Sequence, residues 1–194
     1  PGPQFSNPLT EQILNQEKEQ SFSEYIKFQI DGLDMIRDTL PKNKSLIGFV
    51  GGPYTLYQFA RRHPQTNSNL LDNFLPVIEK IIENNIDLQF SIDLDLLMIF
   101  DTEAQHLSLE QFDKIVKPFI EKIAFKYPGK IGYFTKDVDD EKFKSIKSIN
   151  GLKLTVVGSN QDIVSKLLGT DLSLQGNFPN EYLAAESIKD FKKH

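Results

Sequence analysis

The side chains in this sequence that are equipped for chemistry cluster where apolar runs end. Asp101 directly follows the run Leu96 to Phe100 and is followed by Thr102. A carboxylate there could stabilise a cationic ring or take part in proton transfer, and it could equally cap a helix or hold a turn. Gly51-Gly52-Pro53 ends the run Leu46 to Val50, with Tyr54, Tyr57 and Phe59 just beyond. Glycines allow positive φ and close backbone approach, and Pro53 suits the first position of a helix because it has no amide to leave unpaired. Such a helix would point its positive end at the strand ends, where a ligand's carboxylate could be held. The same residues also make a plain strand-to-helix turn, and with the aromatics at helical spacing core packing alone could explain two of the three. His106 could serve as acid or base, yet a lone histidine ahead of a capped helix is more often structural, and His63 and His194 have no partner pattern. No H-x-x-x-H spacing occurs and the chain has no cysteine, which excludes disulfides, thiolate metal sites, iron–sulfur clusters and cysteine nucleophiles.

These residues depend on the elements that carry them. Five apolar, often β-branched runs bounded by breakers read as buried strands: Leu46 to Val50, Leu96 to Phe100, Lys130 to Phe134, Lys153 to Gly158 and Leu172 to Gly176. Between them lie helical stripes. Leu71, Phe74, Val77/Ile78, Ile81/Ile82 and Ile86 form one, and Phe112, Ile115/Val116, Phe119/Ile120 and Ile123 another. Ser108 followed by Gln111 predicts a capping box at the start of the second. Phe143, Ile146 and Ile149 make a weaker helix that Asn150-Gly151 would end, and Ile163, Leu167 and Leu168 a short one. The first 25 residues read as an extended arm followed by a polar helix or loop.

Strands alternating with helices imply parallel βα units, in an open doubly wound sheet or a (β/α)8 barrel. Five strands do not close an eight-stranded barrel. Ligands gather at the carboxyl ends of parallel strands. That rule selects Gly51, Gly52, Pro53 and Tyr54, then Asp101 and Thr102, then Thr135, Lys136 and Asp137, then Ser159 and Asn160, and finally Asn177.

The 194 residues suit one domain over 1–194, with 39% hydrophobic and 25% charged residues. A net charge of −5 argues against nucleic acid or an anionic membrane as partner. No apolar run approaches the roughly 18 to 20 residues of a membrane span and no signal peptide opens the chain, so the protein is expected in the cytoplasm. Arginine is scarce: Arg37, Arg61 and Arg62 are the only three.

Beyond spacing, the motifs carry a resemblance. "LIGFVGGPYTLYQFA" resembles the "PLIGFxGxPWTLxxYM" segment of uroporphyrinogen decarboxylases, and further matches follow in chain order. "GPQFSNPL" is similar to the family's "GPxFPxPI" arm, and "DLDLLMIFDTEAQHLSLEQFDKIVKPFIEKI" to "GADxxQIFDSWAGxLSxxxFxxFxxPYxxxI", including Pro118, which propensity alone reads as a helix breaker. "KIGYFTKD" and "GLKLTVVGSNQDI" take the places of the next two strands, and "LSLQGNFPNEYLA" resembles "xxLQGNLDPxxLL".

The resemblance implies a (β/α)8 TIM-barrel fold, here an incomplete or reduced barrel with about five recognisable parallel strands. It implies removal of carbon dioxide from the acetate arms of uroporphyrinogen to give coproporphyrinogen in haem biosynthesis. No metal or cofactor is implied, because the protonated pyrrole ring is itself the electron sink. The implied partner is a small-molecule tetrapyrrole, and a homodimer is compatible with it. Carried over by position, Gly52, Pro53, Tyr54, Phe59, Phe100 and Thr102 are expected to bind substrate, with Asp101 and Tyr57 as the catalytic pair. Gly52, Pro53, Phe59, Phe100, Asp101 and Thr102 are expected on one concave face. The sequence departs from the family pattern at Phe59, where the family has a tyrosine whose phenol Tyr57 would replace from a shifted position. It departs also at Thr102, in place of serine, and Tyr54, in place of tryptophan. The family's "RQAGR" and "NLGHG" motifs do not occur in this chain. Arg61 and Arg62, beyond the first turn of their helix, are expected to point away from the strand ends. The alternative reading is a catalytically inactive barrel homologue or fragment that binds a tetrapyrrole or a protein partner. Methyl transfer, which related barrels perform at cysteine-ligated zinc, finds no cysteine here.

Overall fold

The computed structural model describes residues 7, 8, 10, 19–66, 70–136, 138–157, 162, 166 and 169–176. Five short strands, β1 (Ile47–Gly51), β2 (Leu96–Phe100), β3 (Ile131–Phe134), β4 (Leu152–Val157) and β5 (Ser173–Gly176), pair in the order of the sequence. Every pairing is parallel. The strands expected from the sequence are therefore present and adjacent, with ends displaced by a residue or so; Gly158 lies outside the described residues. Register places Gly51 opposite Phe100, and Phe100 opposite Phe134, so the carboxyl ends of β1, β2 and β3 lie side by side.

Alternation along each strand decides where the core sits. Val50, Leu97, Ile99, Ile131, Tyr133 and Val157 point to one face, where Ile82, Ile86, Phe112, Val116, Phe119, Ile120, Ile123 and Ile146 close over them. On the opposite face Ile47, Phe49 and Phe100 remain exposed. A helix layer thus covers one side of the sheet, as in one sector of a βα barrel.

Helix α1 (Glu19–Thr39) precedes β1, α2 (Pro53–Arg61) and α3 (Leu71–Phe90) link β1 to β2, and α4 (Leu109–Ile115) and α5 (Lys117–Lys126) link β2 to β3. Helix α6 (Asp140–Lys147) lies between β3 and β4. Only the start of α1 falls in the stretch read as a polar helix or loop; the rest was not expected. Helix α4 opens with the predicted box: Gln111 N donates to Ser108 Oγ at 3.2 Å and Ser108 N donates to Gln111 Oε1 at 3.0 Å. The single stripe from Phe112 to Ile123 divides at Val116, and Pro118 falls in the first turn of α5, where its missing amide costs nothing. Gly151, past the end of α6, has φ +84°, a conformation that favours glycine. The helix expected around Ile163, Leu167 and Leu168 lies outside the described residues.

Candidate active site

Polar chemistry at the carboxyl end of the sheet is organised around the turn from β1 into α2. Gly52 N donates to Phe100 O at 2.7 Å, which locks the turn to β2. Gly52 has φ −72° and ψ 151°, so its glycine is not there for positive φ. A Cβ at this position would overlap the Cβ and Cγ of Asp101. Close approach is what the position requires.

Asp101 is completely buried. Its Oδ1 accepts from the Thr55 amide at 2.7 Å, at the start of α2, whose own N-cap residue Gly52 has no side chain to offer. The anion at the positive end of this helix is therefore the protein's own Asp101, in the place the sequence suggested for a ligand's carboxylate. Burial pushes its carboxyl up to about 6 against the downward pull of Thr55 and the Tyr54 amide, and Glu103 adds to the rise. Phe100 and Asp101 do not share a face: Asp101 continues the series Leu97 and Ile99 toward the helices, while Phe100 turns to the open side. The expectation of one concave face for both is corrected by strand parity.

The segment after β2 is a 3-10 turn, Thr102–His106, held from three directions. Glu103 N donates to Thr55 Oγ1 at 3.0 Å, Arg62 Nη2 pairs with Glu103 Oε1 at 3.0 Å, and Lys142 Nζ donates to Gln105 O at 2.9 Å. Arg62 thus reaches back to the end of β2 instead of pointing away, and its guanidinium lies 4.6 Å from the Phe59 ring centroid. This contact brings Phe59 to the same end of the sheet as Thr102. Arg61 lies over Tyr57 at 5.9 Å. Arg37 pairs with Asp95 at 3.2 Å, just ahead of β2, near the opposite end of the strands.

Tyr57 is buried with Ala60 and Phe74 in a small cluster of α2 and α3, its ring 5.6 Å from that of Phe74 and 6.2 Å from that of Tyr54. Burial raises its phenol above the ordinary value, with Arg61 opposing. Tyr57 and Asp101 consequently occupy different surroundings, one between two helices and one beneath a turn. Pro53 is buried, while Tyr54, Phe59 and Thr102 are half-buried.

On the open face Phe49, Phe100 and Phe134 form an aromatic band across three strands, with centroid separations of 6.2 Å and 5.4 Å. Phe100 is 39% exposed and Phe49 69%. The band was missed in the sequence because each phenylalanine reads simply as strand core. Thr135 is described and completely buried, and Tyr133 beside it was not singled out. Asp137, Ser159, Asn160 and Asn177 lie outside the described residues. Among the described residues no group of three His, Asp or Glu side chains could hold a metal ion, and no helix is long and apolar enough to cross a membrane.

Comparison with known proteins gives this geometry a family. The family model described as uroporphyrinogen decarboxylase (URO-D) matches residues 1–194. A Wolbachia protein (subsp. Brugia malayi, strain TRS) named uroporphyrinogen decarboxylase is 30% identical over 181 residues, which cover 84% of this chain and 52% of that protein. One of the same name from Campylobacter hominis is 26% identical over 196 residues, covering 91% of this chain and 57% of its own. The chain spans about half the length of the curated relatives it matches. Among solved structures, a methyltransferase from Methanosarcina mazei superposes with a TM-score of 0.66 at 14% identity, covering 82% of this chain and 53% of that one, a likeness of fold alone. Parallel strands in sequence order, a helix layer on one face and a family match along the whole chain lead to one conclusion: the chain belongs to the uroporphyrinogen decarboxylase family, as part of an incomplete (β/α)8-type barrel.

Proposed function

We propose that this chain carries part of the tetrapyrrole site of a cytoplasmic uroporphyrinogen decarboxylase. The reaction removes carbon dioxide from the acetate arms of uroporphyrinogen to give coproporphyrinogen in haem biosynthesis. The observation that carries this reading is the family match over residues 1–194. In the proposed chemistry the ring, protonated on carbon, is the electron sink. The bond to the carboxylate breaks and its electron pair neutralises the cationic ring, a proton then adds to the side-chain carbon to make a methyl group, and the proton first placed on the ring carbon departs, so that one proton is consumed for each carbon dioxide released. The residues of this chain bind and orient. Phe100 on the open face offers an apolar surface to a macrocycle, Thr102 a hydroxyl, and Tyr54 and Phe59 border the same end. Gly52 and Pro53 shape the turn between them, and Tyr57 backs that turn through its packing on Tyr54.

Two observations favour a narrower role for this chain acting alone, which is binding without turnover. Asp101 is enclosed, so its carboxylate does not reach a ring cation on the open side, and Arg62 is already paired with Glu103. Orientation of a polyanion matters steeply, since a misplacement of about 1 Å can cost on the order of a hundredfold in rate. The test is an anaerobic assay with reduced uroporphyrinogen, reading products by porphyrin fluorescence after chromatography. It compares the 194-residue chain with a completed protein in which the unmatched parts of the longer Wolbachia relative flank this chain. Coproporphyrinogen is expected from the completed protein and not from the chain alone. No product from the completed protein would overturn the enzymatic reading. Product from the chain alone, abolished by Asp101→Asn, would return the ring-cation role to Asp101.

A further inference from the structure

Three buried polar atoms lie near the carboxyl ends of β2 and β3 without a partner at full hydrogen-bond geometry, Asp101 Oδ2, the Tyr133 hydroxyl and Thr135 Oγ1, with the two hydroxyls close enough to influence each other and the Asp101 charge acting on Tyr133. All three residues are completely buried. Their grouping follows from register. Ile99 lies opposite Tyr133 and Phe100 opposite Phe134, and Asp101 N donates to Phe134 O at 2.8 Å, so Asp101, Tyr133 and Thr135 emerge on the same, helix-facing side. Buried polar groups without partners are rare, and a cluster of them calls for an explanation.

We propose that Asp101 is a positioning residue whose proton sets the course of the Gly51–Tyr54 turn, with Tyr133 and Thr135 as the buried hydroxyls that choose between its two states. The carboxylate form draws the Thr55 amide and the positive end of α2 toward Oδ1, and its Oδ2 accepts a hydrogen bond from one of the two hydroxyls, which keeps its proton. The neutral form keeps Oδ1 as a weaker acceptor, and its Oδ2 hydroxyl donates to the same oxygens. One carboxyl therefore adjusts the contact on which Gly52 rests. The groups facing it are Tyr54 and Thr55 from α2, Glu103 from the 3-10 turn, Tyr133 from β3 and Thr135 just past its end, with Arg62 holding Glu103. Burial, the largest influence, places the change near pH 6, where it can occur in a folded protein. Describing the turn as a ligand rim rests on the function proposed above, whereas the clasp does not.

The experiment is a pH series of amide NMR spectra on the 194-residue chain, following Gly52 and Thr55 without any tetrapyrrole. In the wild type both amides are expected to titrate together with a midpoint near 6. Asp101→Asn should abolish the titration. Tyr133→Phe and Thr135→Val remove donors to the carboxylate, so at least one of them should raise the midpoint by about half a pH unit or more, which a merely structural role would not do. If Asp101→Asn does not fold, the wild type and the two hydroxyl variants still decide the matter. Amides that do not titrate between pH 4.5 and 8, or a midpoint unmoved in both hydroxyl variants, would overturn the proposal. A second arm adds uroporphyrin to the wild type; absence of binding there refutes the tetrapyrrole reading and leaves the clasp standing.

Discussion

At Asp101 the folded protein holds a proton over a pH range in which the unfolded chain has lost it, because burial raises the carboxyl from 3.8 to about 6. Between those values the native state binds more protons than the unfolded chain. The group's contribution to stability is thus complete below pH 3.8, declines as pH rises, and is gone above about 6. The difference corresponds to about 3 kcal/mol. Asn cannot ionise, so the stability of the wild type relative to Asp101→Asn is expected to fall by up to about 3 kcal/mol between pH 4 and 7. Urea unfolding of both proteins at the two pH values measures it, and a difference independent of pH would count against the buried carboxyl. At the neighbouring position Gly52→Ala drives a methyl into Asp101 and is expected to cost about 1–3 kcal/mol. Combining it with Asp101→Ala should recover part of that loss, because the two residues share one contact. Strict additivity in thermal unfolding would show that they do not.

Among the elements, strands were easier to read than helices. Runs such as Leu96 to Phe100 are apolar and flanked by breakers, and parallel pairing in chain order follows from their alternation with helices. Helix α1 carries a thin stripe, Ile26, Ile30 and Leu33, but Phe28, Met35 and Ile36 stand exposed on its other sides and blur the pattern in the sequence. The carboxyl-end rule named Gly52, Asp101 and Thr102 from breakers alone, and the structure does gather these three at one end of the sheet. The direction of Asp101 was not legible, because it depends on strand parity and on the depth at which α2 begins. The return of Arg62 to Glu103 depends on how α2 packs on the 3-10 turn, which sequence spacing does not encode. Local capping was fully written in the chain. Ser108→Ala removes the acceptor for Gln111 N and is expected to cost about 1 kcal/mol, measured by chemical denaturation. No measurable loss would mean that packing of Phe112 on Tyr133 holds α4 without its box.

For the molecule as a whole, the two faces of the sheet differ in what covers them. One is sealed by helices, and its core includes Ile99, Phe112, Ile123 and Ile146. The other presents the Phe49–Phe100–Phe134 band, an exposed apolar surface of the kind that marks a ligand or protein contact. Tetrapyrrole binding at the carboxyl end of that face is the central claim. Its most direct measurement is a fluorescence titration with uroporphyrin, the oxidised and fluorescent relative of the proposed substrate. It is performed on the wild type, Phe100→Ala, Thr102→Val and, as a control, Phe125→Ala, whose ring is 84% exposed on α5. Saturable binding is expected, weakened roughly tenfold by Phe100→Ala through loss of about 1.4 kcal/mol of apolar contact. Thr102→Val should weaken it as well, and Phe125→Ala should leave it unchanged. Binding that fails to saturate, or that is equally strong in all four proteins, would contradict the account.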